Sequence, residues 1–104
     1  MLRHQFEYRF EWNSAKAKGN LSKHRISFDR AATVFQDASA LSTFDSDHSE
    51  TEDRWVTLGL DQNGILLVVC HTFVSVGSAS AEVRIFSARK ATRNEAGQYR
   101  RHNP

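Results

Sequence analysis

Three groups of polar residues have the types and spacing to do chemistry. Lys16, Asn20, Lys23 and His24 recur three or four residues apart, the spacing of one helix face. Such a face either grips a phosphate backbone or is simply solvated. The stretch Asp45-Ser46-Asp47-His48-Ser49-Glu50 comes shortly before Arg54. Carboxylates on both sides of His48 favour the charged imidazole, which suits a general acid, a metal ligand or a plain surface histidine. The metal reading has little support: no second His sits at zinc-like spacing, and no Gly sits where a calcium loop needs one. The third group lies on strand ends. His71 follows the apolar run Ile65 to Cys70, and Arg84 and Arg89 bracket Ile85-Phe86-Ser87-Ala88. Side chains on strands are held rigidly, as catalysis needs. The plainer alternatives are a core histidine at 71 and an Arg84 that pairs with an acid across the sheet. Cys70 reads as a small buried hydrophobe.

Basic side chains and histidines without a metal cage suit one reaction in particular. A base takes the ribose 2′-hydroxyl proton, the oxygen attacks the adjacent phosphorus, and cations stabilise the charge that builds on phosphate. RNA can react in this way and DNA cannot. No Ser-His-Asp constellation, phosphate-loop glycine pattern or dinucleotide fingerprint is present, which disfavours a nucleotide-cofactor enzyme. No cofactor and no metal is expected.

Several elements must position these groups. Phe6, Tyr8, Phe10 and Trp12 alternate with Glu7, Arg9 and Glu11, a strand whose aromatic face reads as core rather than as a base-stacking platform. Asn13 can cap a helix, although Gly19 weakens it by up to about 1 kcal/mol. A second helix follows Ser27, with Phe28, Ala31, Ala32 and Phe35 on one stripe. Leu41 to Phe44 reads as a short strand and the acidic stretch 45–53 as a loop. Trp55 to Leu60 and Ile65 to Thr72 form a hairpin around Asp61-Gln62-Asn63-Gly64. Phe73 to Ala81 reads as a turn or a ragged extension. Glu82 to Ala88 alternates, with Val83, Ile85 and Ser87 opposing Arg84, Phe86 and Ala88. Thr92-Arg93-Asn94-Glu95 is a capping box, so a basic helix runs on to about Arg101. The order predicts an α+β domain: a mostly antiparallel β-sheet packed against two N-terminal helices and a C-terminal helix.

A length of 104 residues suits one domain over 1–104. The apolar run Ile65 to Cys70 is far short of the about 20 residues a membrane span needs. No signal-peptide stretch follows Met1-Leu2-Arg3-His4, and one cysteine makes no internal disulfide, so a cytoplasmic protein without a membrane is expected. The net charge of +2 hides three blocks: +4 over residues 1–30, −7 over 31–83 and +5 over 84–104. The two basic ends can meet a polyanion, or all three blocks are solvated faces. Ten of the fourteen basic residues are Arg, whose planar fork suits phosphate.

Taken in order, the motifs resemble a known family. Phe10-Glu11-Trp12-Asn13, followed by Lys16, Asn20, Lys23-His24 and Ser27-Phe28, is similar to the opening of BrnT toxins. Asp45-x-Asp47-His48-Ser49, Glu52-x-Arg54-Trp55, Leu67-Val68-Val69-x-His71 and Arg84-Ile85-x-Ser87-Ala88-Arg89-x-Ala91-x-x-x-Glu95 resemble the later motifs in the same order. The likeness runs from about residue 10 to residue 100. It implies a RelE-like fold and a ribonuclease toxin of a type II toxin–antitoxin pair that halts translation. It also implies a BrnA-type antitoxin partner that carries the DNA-binding part, so that this chain meets DNA only indirectly. Asn13 stands where the family usually has Asp, and Cys70 where Val is common.

The expected catalytic residues are therefore His48, Arg54, His71, Arg84 and Arg89. His48 or His71 would move protons and the arginines would neutralise the scissile phosphate. Lys16, Lys23, His24, Lys90 and Arg93 would position the RNA backbone. Two rivals use the same cations: a non-catalytic module that binds RNA or a protein partner, and an operon regulator that binds DNA. The second lacks a convincing helix-turn-helix.

Overall fold

Alternating aromatic and charged residues open the chain as strand β1 (Glu7–Glu11) in the computed structural model, which describes residues 6–103. Arg3 and the Met1 to His4 segment, read above for charge and for a leader, lie outside the described residues. Asn13 then starts helix α1 (Ser14–His24) by accepting the Lys16 N–H on Oδ1 at 3.0 Å. The helix closes at Arg25, which takes the left-handed conformation (φ 62°) and donates its N–H to the Leu21 carbonyl. Ser27 caps α2 (Phe28–Ala32), which tightens into a 3-10 turn, Thr33–Gln36.

The other strands are β2 (Leu41–Phe44), β3 (Arg54–Leu60), β4 (Leu66–Thr72), β5 (Val74–Val76) and β6 (Ser80–Lys90), followed by helix α3 (Arg93–His102). The sheet runs β1-β6-β4-β3-β2, with β5 also paired to β6. Every pairing is antiparallel except that of β1 with β6. The fold class is α+β, as expected. The segment read as a turn or a ragged extension, Phe73 to Ala81, forms a small hairpin: β5 folds back on β6 through Gly77, at φ 71°.

Each strand shows one face to each side. Leu67 and Val69 of β4 and Val83, Ile85 and Ala88 of β6 form the main core with Ile26, Phe28, Ala31 and Val34. On the opposite face Tyr99 of α3 packs on Leu58 and Val68. Helix α3 leaves the β1–β6 half of that face open, where Arg9, Glu11 and Glu82 are exposed and Arg84 is half-buried. No helix among the described residues is long and apolar enough to cross a membrane.

The alternation of β6 does not continue unbroken. Cys70 lies opposite Ser87 and His71 opposite Ile85, so Phe86 is one residue too many. This β-bulge bends the strand and makes Ala88, rather than Ser87, the next core residue.

Candidate active site

Phe86 sits at the bulge with its ring outward, and cations from three elements converge on it. The Arg54 guanidinium of β3 lies 4.3 Å from the Phe86 ring centroid and that of Arg84 lies 5.1 Å away. The Lys16 ammonium of α1 lies at 5.3 Å. These are cation–π distances, and they hold three positive groups together that would otherwise repel. Glu52, in the loop before β3, supplies the balancing charge. Both its oxygens contact Arg84 Nη2, and Oε1 lies 3.9 Å from Arg54 Nη2. Asn13, Lys16, Glu52, Arg54, Arg84, Ile85 and Phe86 line an open hollow of about 350 Å³.

The loop that carries His48 returns to this place. Asp45 N–H donates to the Arg54 carbonyl at 2.8 Å, and Arg54 N–H donates to Ser49 Oγ at 3.0 Å. His48 sits on a 3-10 turn, Ser46–His48, with its side chain 68% exposed. Its Nδ1 is 2.9 Å from Asp45 Oδ2, so Nδ1–H donates to that carboxylate.

His71 is placed differently. It is 2% exposed, inside the main core face, edge-on to Phe35. Its Nδ1 donates to the Thr72 carbonyl at 2.8 Å, and Nε2 accepts from Thr57 Oγ1 at 2.6 Å. Burial pushes its pKa down, against the opposing pull of the Thr72 hydrogen bond. With both nitrogens engaged and Arg54 and Arg84 on the other side of the sheet, His71 anchors the strands instead of reaching a substrate. Arg89 lies on the part of the sheet that α3 covers, where Glu95 clamps it, with Nη1 and Nη2 at 2.8 and 2.9 Å from the two carboxylate oxygens.

Asn20 also leaves the expected basic face. It is buried, donates Nδ2 to the carbonyls of Ala88 (2.8 Å) and Ile26 (2.9 Å), and accepts the Ala88 N–H. β1 pairs with β6 only as far as Arg84, so this carboxamide takes the place of a neighbouring strand beyond it. With Lys16 at Phe86 and Asn20 at Ala88, α1 runs along the β6 edge towards Lys90. Lys23 and His24 fall in its last turn, and Arg93 opens α3. Sequence reasoning missed Phe86 and Glu52 as site residues. The available signals were an aromatic residue where β6 should face outward, and an acid two residues before Arg54.

The description of one protein family, the ribonuclease toxin BrnT of type II toxin–antitoxin systems, matches residues 12–95. The chain belongs to the BrnT family. It is thus a member of a family of ribonuclease toxins. A search of curated proteins found no match. Among solved structures, the chain is similar to the crystal structure of the Brucella abortus ribonuclease toxin BrnT. The two are 21% identical, with a TM-score of 0.57 over 84% of this chain and 100% of that one. The BrnT match spans every element from α1 to the first turn of α3, and so it includes the Lys16, Glu52, Arg54, Arg84 and Phe86 cluster.

Proposed function

We propose that this BrnT-family chain, as one domain over residues 1–104, is a metal-independent endoribonuclease. The observation that supports this most is the convergence of Lys16, Arg54 and Arg84 on Phe86. Three cations fixed at the rim of one hollow can bind a phosphodiester and neutralise the charge that grows on it during 2′-hydroxyl attack, the part a metal plays elsewhere. Arg supplies two parallel donors to phosphate, and pinning it on an aromatic ring lowers the cost of ordering it. His48 moves a proton at the leaving oxygen, with Asp45 orienting its ring. Lys23, His24, Lys90 and Arg93 track the RNA backbone along the β6 edge, and Arg89 backs them from the face that α3 covers.

The cellular reading follows the family. The chain acts in the cytoplasm, blocks translation by cutting RNA, and is neutralised by a BrnA-type antitoxin that makes the DNA contacts. The test is incubation of the purified chain with end-labelled RNA and a matched DNA in the presence of EDTA. Cleavage of RNA alone, leaving 2′,3′-cyclic phosphate ends, is the expected result. Salt-dependent RNA binding without any cleavage would instead favour a non-catalytic binding module.

A further inference from the structure

We infer that Glu52 is the catalytic base, the group that takes the ribose 2′-hydroxyl proton. This rests on the ribonuclease reading and names the proton acceptor of the same site. Among the residues that line the hollow, Glu52 is the sole carboxylate. The others offer no acceptor for the task. An arginine does not give up its proton in a protein, an ammonium has no lone pair, and an Asn carboxamide is not a base. His71 is closed off in the core, and His48 is assigned to the leaving oxygen.

The position fits the chemistry as well as the residue type. Glu52 contacts the guanidinium of Arg84 and lies beside that of Arg54, the two groups that face a bound phosphate. The 2′-oxygen sits next to the phosphorus it attacks, so a phosphate seated on these arginines brings the 2′-hydroxyl to the carboxylate between them. Arg84 has donors for both partners, and a phosphate that competes for its Nη2 frees a Glu52 oxygen at the moment substrate arrives. Glu52 Oε takes the 2′-hydroxyl hydrogen, and the 2′-oxygen forms a bond to phosphorus. The bond from phosphorus to the 5′-oxygen breaks, and that oxygen keeps the electron pair and takes a proton from protonated His48. The products are a 2′,3′-cyclic phosphate and a 5′-hydroxyl, and exchange with water resets both side chains.

A carboxylate that merely held Arg84 in place would look the same in a static structure. Glu52→Gln separates the two roles, because it removes the base and keeps a side chain that can accept from Arg84. The measurement is kcat, KM and RNA affinity for parent, Glu52→Gln and Glu52→Asp, each confirmed as folded by its thermal midpoint, across pH 4 to 9 (on the order of ten points). The expected result is a fall of roughly 10²- to 10⁴-fold in kcat for Glu52→Gln, with RNA bound as tightly or more tightly. The acidic limb of the kcat/KM profile disappears with it, and Glu52→Asp retains the limb at reduced rate. Parent-like kcat in Glu52→Gln, or a defect confined to KM, overturns the assignment alone. A parent chain that cleaves no RNA overturns the ribonuclease reading and the assignment with it.

Discussion

Phe86 gathers the cations of the candidate site around one ring. The alternation of β6 already turns Phe86 outward with Arg84, and the bulge then returns Ala88 to the core. The Phe86 ring stands among Lys16, Arg54 and Arg84. Each cation–π contact contributes about 0.5–1 kcal/mol at an exposed site, and two arginines share the ring. Phe86→Leu should therefore slow RNA cleavage by about 5- to 30-fold while leaving the thermal midpoint close to the parent's. An unchanged rate would mean that the ring does not organise the arginines. The arginines themselves could be picked out from sequence, because residue type and motif spacing mark phosphate chemistry. The ring was harder to pick out, since an outward aromatic residue on an alternating strand does not say which cations from β3 and α1 will meet it. His71 went astray for a related reason. A histidine at the end of a buried strand looks the same in sequence whether it faces solvent or core, and only the pairing with Thr57 decides it. Its lowered pKa makes a stability prediction. The unfolded chain binds a proton below about pH 6.5 that the buried ring refuses, so this stability is present above that pH and is lost as pH falls towards the lower folded value. The thermal midpoint should drop between pH 7.5 and 5, and drop less in His71→Gln, which titrates in neither state; equal slopes would contradict this role.

Helix α1 carries Lys16 of the site. Its sequence contains Gly19, where an added Cβ meets nothing within 4 Å. Gly19→Ala should raise stability by roughly 0.5–1 kcal/mol, read as a higher denaturation midpoint, because the helix loses a flexible residue and gains no clash. A lower midpoint would show that α1 needs the glycine for packing. Helix α3 is held at its start by Glu95, which accepts the Thr92 N–H and grips Arg89. The Arg89 hydrogen bonds hold its carboxyl at about 2, against 4.5 ordinarily. The sign is that of a depressed acid: the stabilisation is complete above about pH 4.5 and is lost as pH falls towards 2. Glu95→Gln should be less stable than the parent at pH 7 and converge with it near pH 2; a constant gap would contradict the ion pair's role. The capping box behind this was plain in the sequence, as were β1, the Ser27 cap and the β3–β4 hairpin, because all are local patterns. The β5 hairpin was not, since Val74–Val76 is too short to show a period and is a strand only because Ser80–Glu82 pairs with it.

Across the whole molecule, the charge blocks of the sequence are partly consumed by internal pairs. Part of the acidic middle block is drawn into the structure, while Asp47, Glu50, Asp53 and Glu82 stay exposed. Asp61 takes Arg30, Asp37 takes the Tyr99 hydroxyl and the Leu60 N–H, and Glu52 takes Arg84. Burial pushes the Asp37 and Asp61 carboxyls up, but the N–H and O–H donors around them outweigh it and hold both below the usual range. What remains is a half-covered sheet: helices fill one face, α3 fills part of the other, and the open half carries the cation cluster next to the basic edge of β6. That division could not be read from composition, which counts charges and not their partners. The central claim is that this cluster is where RNA is cut. It is tested most directly by the initial rate of cleavage of one labelled RNA by the parent and by Arg84→Ala, with thermal midpoints measured alongside. Loss of one phosphate-neutralising group should cost roughly 10²- to 10³-fold in rate with the fold intact. A folded Arg84→Ala chain that cleaves as fast as the parent would contradict the account.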